Sequence, residues 1–232
     1  MRPQPQAANH RREEVTISAV IDDELIPELW QLYAEAFEPM RELALLCHLY
    51  PRELFEELVA DARVFKVIGW RDGQPVAFAA VTNVLDLVPQ ISPPFLRRRY
   101  PEQALRQAIF FAMFICVAER FRTSTMFARL IAGMGQVAAT REGLVVCDIS
   151  QVNRDADLDS LIGRIVNWFP GSRFDEIDSQ HYYAAVLPET LDRLPFSKAP
   201  LPQPVIDLRA EGRPNPSRGQ SPPTADDASV RP

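Results

Sequence analysis

With 232 residues, 47% of them hydrophobic, the chain can bury a core of its own, and residues 14–195 read as one domain between two polar tails, 1–13 and 198–232. A net charge of −6 argues against general nucleic-acid binding. No apolar run reaches the ~20 residues of a membrane helix and the opening MRPQPQAANHRREE is no signal peptide, so a cytoplasmic protein without membrane partners is expected.

The polar stretch 1–13 is expected to be disordered. Residues 15–21 alternate apolar and polar side chains and predict a strand. Asp22 or Asp23 can cap a helix that tolerates Pro27 in its first turn, with Ile26, Leu29, Trp30, Tyr33 and Phe37 on the inner face. Pro39 marks a break, 42–49 a second helical stretch, and Pro51 the start of another helix with Leu54, Phe55, Leu58 and Val59 on one side. Residues 64–70 and 74–84 predict a hairpin turned by Asp72-Gly73. The insert 86–102, DLVPQISPPFLRRRYPE, carries four prolines, which forbid one regular element through its length. It reads as a loop with a short helix around 95–99. Its length and aromatic content suit a lid, and a surface excursion with solvated arginines accounts for it equally well.

Next comes AIFFAMFICVAERFRTSTMFARLIAGMGQVAATREG, residues 108–143. The apolar run 109–117 suits a buried strand. A polar turn, 118–125, holds Arg120, Arg122, Thr123, Ser124 and Thr125. Phe127, Leu130, Ile131, Met134, Val137 and Ala138 then fall at helical spacing, and Gly143 is placed as the C′ residue. Strand, polar turn and helix together bring backbone N–H groups and positive charge to one spot, as phosphate sites do. The hydroxyls are also ordinary helix caps, and the arginines ordinary surface charge.

Residues 144–149 predict another buried strand. Asn153, Asp155 or Asp157 can cap a helix over 158–168 that buries Leu161, Ile162, Ile165 and Val166 and ends at Pro170-Gly171. Two last strands, 173–177 and 181–187, and a short helical turn at 188–194 complete the domain. The Pro-, Arg-, Asp- and Ser-rich tail 198–232 is expected to be disordered. Cys47, Cys116 and Cys147 form no Cys-x-x-Cys pair, which suits reduced thiols, and His10, His48 and His181 are too scattered to suggest a metal site. There is no internal repeat.

The central segment resembles the acyl-CoA-binding motif of the GNAT superfamily of N-acyltransferases, V-x-P-x-x-R/Q-x-x-G-x-G/A followed by a helix with paired leucines. Val117, Arg122 and the Leu130–Ile131 pair fall on that register, whereas Glu119 replaces the proline and Thr125 and Phe127 replace the two glycines. The order of elements from about residue 15 to 187 resembles the family's fold as well. The resemblance implies an α/β (α+β) domain: a mixed, mostly antiparallel twisted sheet with a central splay, flanked by helices. It implies acetyl-CoA or another acyl-CoA as co-substrate and no metal. The pantetheine arm would lie along Ile115, Cys116 and Val117. The pyrophosphate would rest on Arg122, Thr123, Ser124, Thr125, Met126 and Phe127, and a backbone N–H near Val117 would face the oxyanion. An amine of a small molecule or protein would be the acceptor; homodimerisation is left open.

Side-chain roles follow less directly. Asp148 is a candidate base on a strand, where a carboxylate with a purely structural role is the commoner finding. Asn153 fits the asparagine that family members often carry after that strand. Where they then place a proton-donating tyrosine this chain has Ser160, so Tyr182 or Tyr183 of the last predicted strand becomes the candidate. Neighbours on a strand face opposite ways, so only one of the two can point into a cleft. A GNAT-like binding or scaffold protein without catalysis is the alternative, favoured by the missing glycines and tyrosine. An acyltransferase of the acyl-homoserine-lactone synthase type ranks third, because its acidic and aromatic signature is not evident.

Overall fold

The computed structural model describes residues 13–45 and 49–186. They begin with β1 (Glu13–Ser18), α1 (Ile26–Phe37), α2 (Arg52–Ala60), β2 (Val64–Arg71) and β3 (Gln74–Thr82). There follow α3 (Pro93–Arg99), α4 (Pro101–Leu105), β4 (Ile109–Val117) and α5 (Met126–Ala139). Last come β5 (Leu144–Val146), α6 (Gln151–Asp155) and α7 (Leu158–Val166). The chain divides into two compact units, Met1–Ile177 and Asp178–Pro232. All these elements lie in the first; of the second, residues 178–186 are described and hold no helix or strand. No helix among the described residues is long and apolar enough to cross a membrane.

The five strands stand in sequence order, β1-β2-β3-β4-β5. The first three pairings are antiparallel and β4–β5 is parallel, giving the expected mixed sheet. Asp72 (φ 52°) and Gly73 (φ 80°) turn the β2–β3 hairpin with both residues in the left-handed region, as a tight two-residue connection requires.

Each face of the sheet has its own core. On one, α1 and α2 bring Leu29, Leu32, Tyr33, Phe55 and Val59 against Ile68, Phe78, Phe111 and Phe114. Tyr33 is the hub, with its ring 4.9 Å from both Phe55 and Phe114 and 4.8 Å from Phe37. Such aromatic pairs add about 0.5–1.5 kcal/mol each beyond the area they bury. On the other face α5 lays Met126, Leu130, Met134, Val137 and Ala138 on Val67, Ala77, Ala79, Val81 and Phe110. Burying a side chain such as Leu130, fully covered here, is worth about 2 kcal/mol over leaving it in water.

Several expectations need correction. Glu13 belongs to β1, opposite Arg71, and not to a polar tail; β1 ends at Ser18, before Ile21. A helix over 42–49 does not form: a 3-10 turn at Glu38–Arg41 gives way to bends through 45, and 46–48, with Cys47 and His48, lie outside the described residues. On α2, Leu54 is exposed while Phe55 and Val59 are buried. The insert is no open loop. Pro93 and Pro101 sit in the first turns of α3 and α4, where a missing N–H costs nothing, and Leu85, Val88 and Leu96 are buried against the α1 face.

Downstream of α5, Glu142 (φ 52°) takes the left-handed position given to Gly143, and Gly143 N–H bonds Ala138 O at 3.0 Å one residue later. β5 covers 144–146, half the predicted strand. Asn153 is not the cap of the next long helix. It lies in α6, whose cap is Ser150, while Asp157 (φ 58°) precedes α7 without a side-chain cap bond. In α7 Ile165 is buried but Leu161 is exposed. Residues 173–177 and 181–186 form no strand, and 187 onward, including the turn expected at 188–194 and the tail 198–232, lies outside the described residues. Apolar alternation gives a segment strand propensity but no ladder, and a three-residue β5 offers little edge.

Candidate active site

The β4–β5 ladder ends beside an irregularity in β4. The β3–β4 register passes from Ala80↔Phe114 to Val81↔Ala112, so Met113 is an extra residue. Met113 and Phe114 therefore both face the α1 side, while Ala112 and Ile115 face α5. The β4–β5 ladder stops just before this bulge. It runs Ile109↔Leu144, Phe110↔Val145 and Phe111↔Val146, and residues 112–117 continue with no strand opposite on that side among the described residues. Their backbone groups along that edge can pair with an extended ligand, as strand edges do.

The turn after β4 leads into the start of α5. Residues Glu119–Phe121 form a 3-10 turn. The Ser124 hydroxyl donates to Phe121 O (2.6 Å) and accepts from Met126 N–H (3.2 Å). The next amides, those of Phe127 and Ala128, make no hydrogen bond among the described residues, as at any open helix start, and they are oriented to receive an anion. Arg122 and Thr123 are exposed beside them.

Thr125 is engaged elsewhere. Its hydroxyl donates to Glu13 Oε2 (3.5 Å) and accepts from Arg129 Nε (3.1 Å). Glu13 also pairs with Arg71 (3.2 Å), and the Arg71 and Arg120 guanidinium groups lie 5.0 and 4.9 Å from the centre of the Phe121 ring. Arg71, Arg120, Arg122 and Arg129 thus lie near the helix start, with Glu13 paired to Arg71 and Arg129 and Glu119 on the turn beside Arg120.

In the α1-side core stands Tyr50. Its N–H donates to Tyr33 Oη (3.0 Å), and its ring lies 6.3 Å from that of Phe114. Its own hydroxyl is shut off from solvent without a hydrogen-bond partner. Burial raises the phenol pKa; the nearby Gln90 amide opposes the rise without closing a hydrogen bond, and Asp148 adds to it.

The other expected residues separate. Ile115 and Val117 face α5, whereas the buried Cys116 faces α1 and donates its thiol to Phe78 O (3.4 Å). Burial pushes that thiol up to about 12 and Cys147 up to about 11, so neither is poised as a nucleophile. Asp148 is exposed just past β5, next to Cys147. Asn153 is half-buried on α6 with its N–H on Ser150 Oγ (3.4 Å). Tyr182 and Tyr183, 48% and 92% exposed, belong to the second unit. Among the described residues no group of three His, Cys, Asp or Glu gathers as a metal site would.

Tyr50, Glu13, Arg71 and Arg129 carried no sequence signal of their own. Tyr50 precedes Pro51, which biases it toward extended backbone and marked it as a helix boundary.

No protein-family model and no curated protein matches the sequence. Among solved structures, the aminoglycoside N-acetyltransferase AAC(6')-Iy in complex with CoA superposes with a TM-score of 0.50 at 14% identity, over 78% of this chain and 99% of that one. The fold is that of the GNAT acetyltransferases. A ribosomal-protein-alanine N-acetyltransferase from Brucella melitensis biovar Abortus 2308 matches with a TM-score of 0.44 at 14% identity, over 75% of this chain and 99% of that one. An aminoglycoside acetyltransferase from an uncultured soil metagenomic sample, in complex with sisomicin, gives 0.46 at 12% identity, over 75% and 96%. In this GNAT-fold chain the parallel β4–β5 pair, the bulge between its halves and the helix start after β4 form one continuous feature.

Proposed function

We propose that this protein is an acyl-CoA-dependent N-acyltransferase that passes an acetyl or other acyl group to an amine on a small molecule or protein. The observation that carries the reading is the end of the β4–β5 ladder at Phe111↔Val146, followed by β4 edge that is unpaired among the described residues and the open start of α5. The pantetheine arm pairs along 115–117. The amides of Phe127 and Ala128, with Arg122, hold the pyrophosphate, and a β4 amide near Val117 faces the oxyanion. Acyl transfer needs a deprotonated amine; Asp148, exposed just past β5, can take its proton through water. The insert packs on the same core as Tyr50, with Gln90 beside that hydroxyl, which supports its covering the acceptor side.

The test is calorimetry and thermal shift with CoA, acetyl-CoA and a longer acyl-CoA, followed by thiol release in the presence of amines: an alanine N-terminal peptide, a lysine peptide and an aminoglycoside. At 1,000 times its dissociation constant a ligand stabilises the fold by about 4 kcal/mol, an easily read shift. Binding of none of the three by folded protein refutes the reading. Binding without thiol release favours the second reading, a GNAT-fold acyl-CoA-binding protein without turnover. The observation behind that alternative is that Ser124 and Thr125 spend their hydroxyls on the protein itself.

A further inference from the structure

We infer that Phe114 limits the length of the acyl group this protein takes, so that the donor is a short acyl-CoA, acetyl or propionyl, and not a fatty one. The inference rests on the acyl-CoA reading and adds a specificity-determining residue to it. With the pyrophosphate at the start of α5 and the pantetheine arm along residues 117 to 115, the thioester end points back along β4 toward residues 112–114. It goes no further between the strands, because the β4–β5 ladder closes at Phe111↔Val146. The acyl group must therefore find its room on one face of the sheet or the other, beside residues 112–114.

The bulge fills the first of those faces. A regular strand sends neighbouring side chains to opposite sides, but Met113 and Phe114 both go to the α1 side. The Phe114 ring is then held by five others: Tyr33 at 4.9 Å, Phe78 at 5.1 Å, Phe55 at 6.0 Å, and Phe37 and Tyr50 at 6.3 Å each. All but Phe55 meet it edge to face, so the ring cannot swing aside without losing contacts on several sides at once. The cavity beside this cluster, lined by Trp30, Tyr33, Phe37 and Tyr50, measures ≈ 10 Å³, about the room for one water molecule. On the opposite face Ala112 is buried in the α5-side core with Phe110 and Val137. Packed side chains thus floor both faces at 112–114.

The two alternatives predict opposite trends with chain length. A close-packed floor admits an added methylene only by displacing side chains, so binding weakens as the chain grows. An open apolar channel would instead raise affinity about fourfold for each methylene it buried.

The experiment needs no acceptor. Calorimetry compares CoA with acetyl-, propionyl-, butyryl- and octanoyl-CoA on the wild type, on Phe114→Leu and on Phe37→Ala. The wild type is expected to bind acetyl- and propionyl-CoA about as tightly as CoA, and octanoyl-CoA at least about tenfold more weakly. Phe114→Leu keeps an apolar side chain but removes the far edge of the ring, and should improve butyryl-CoA binding relative to acetyl-CoA by about fivefold. Phe37→Ala, at a half-buried position on the end of α1, gives the Phe114 ring space to move and should shift the profile the same way; it decides the matter where Phe114→Leu does not fold. Wild-type affinity that stays level or rises through octanoyl-CoA overturns the inference and leaves the acyl-CoA reading standing. So does a chain-length profile that neither variant shifts, since the limit then lies away from this ring. A folded wild type that binds neither CoA nor any of its thioesters overturns both.

Discussion

Gly143 stands against the carbonyl of Ala108 with no room for a side chain: a Cβ at 143 would fall inside the contact radius of Ala108 O and 3.0 Å from Ala138 O. Both neighbours are backbone, so neither can rotate away. The same Ala108 carbonyl accepts Leu144 N–H at 3.0 Å, the bond that sets β5 beside β4 at their first pair, Ile109↔Leu144. Gly143→Ala should therefore cost about 1–3 kcal/mol, the range of overpacking, read as a lower urea midpoint. An equal substitution at Gly135, where a Cβ meets nothing within 4 Å, should be neutral or slightly stabilising through helix propensity.

Gly143 also shows how far the sequence could be read. A glycine after an apolar-periodic helix announces a helix end, and the end is there. The reason for glycine is not a left-handed backbone, since Glu142 takes that role, but an approach to Ala108 that no local pattern encodes. The β2–β3 turn was legible because Asp-Gly specifies backbone geometry within two residues. The bulge at Met113 was not, because IFFAMFICV is apolar on both faces and its alternation cannot reveal an extra residue. Tyr50 and Glu13 escaped for a related reason: their partners, Phe114 and Arg71, are 64 and 58 residues away by number and are chosen by topology alone. The turn between β4 and α5 was legible at residue level, yet whether the Thr125 hydroxyl is free depends on Glu13, which composition assigned to a tail.

Lys66 makes a pH prediction. On a strand it reads as a solvent-facing residue, but it is fully buried, with Nζ donating to Ala19 O and Asp61 O at 2.7 Å each. Burial lowers its pKa from 10.5 to about 8, with the Asp61 carboxylate pulling the other way. Between those values the unfolded chain holds the proton more often than the folded one, so this group makes stability rise with pH. Cys116 and Cys147 act in the opposite sense. Burial keeps them protonated to about 12 and about 11, so as pH passes the ordinary value of 9.0 the unfolded chain releases protons that the fold retains, and stability falls. Urea unfolding in half-unit steps should show a rise from pH 8 toward 9 and a decline beyond it. Lys66→Met should abolish the rise and keep the decline; a wild type that declines from pH 8 onward would contradict the burial of this ammonium.

The insert makes a packing prediction. Leu96 on α3 is 4% exposed and belongs to the α1-side core, while Arg98 beside it is exposed. Leu96→Ala should cost about 2–4 kcal/mol, and Arg98→Ala less than about 0.5 kcal/mol. Replacing residues 89–105 by a short Gly-Ser link should lower the melting temperature as well. A link variant as stable as the wild type would mean that the helices rest on the core without contributing to it.

The last prediction concerns charge at the start of α5. Glu13 holds Arg71 at 3.2 Å, accepts from the Thr125 hydroxyl at 3.5 Å and stands 3.9 Å from Arg129. A carboxylate there offsets the positive charge that would attract a pyrophosphate and occupies two of the cations best placed to meet one. The Glu13 and Arg71 side chains are only 21% and 23% exposed, so removing the charge should also cost the fold about 1–3 kcal/mol, read as a lower urea midpoint. Glu13→Gln should tighten CoA binding about three- to fivefold at low salt, with most of the gain lost near 1 M salt, where the screening length is ~3 Å. Arg122→Ala should act the other way and weaken CoA about tenfold, the loss of one charge-assisted contact. The double variant should fall between the two, since the charges do not touch each other's partners among the described residues. Calorimetry with CoA and dephospho-CoA at two salt concentrations measures all of this. Weaker CoA binding by Glu13→Gln would mean that the carboxylate arranges Arg71 and Arg129 for the phosphates instead of competing with them.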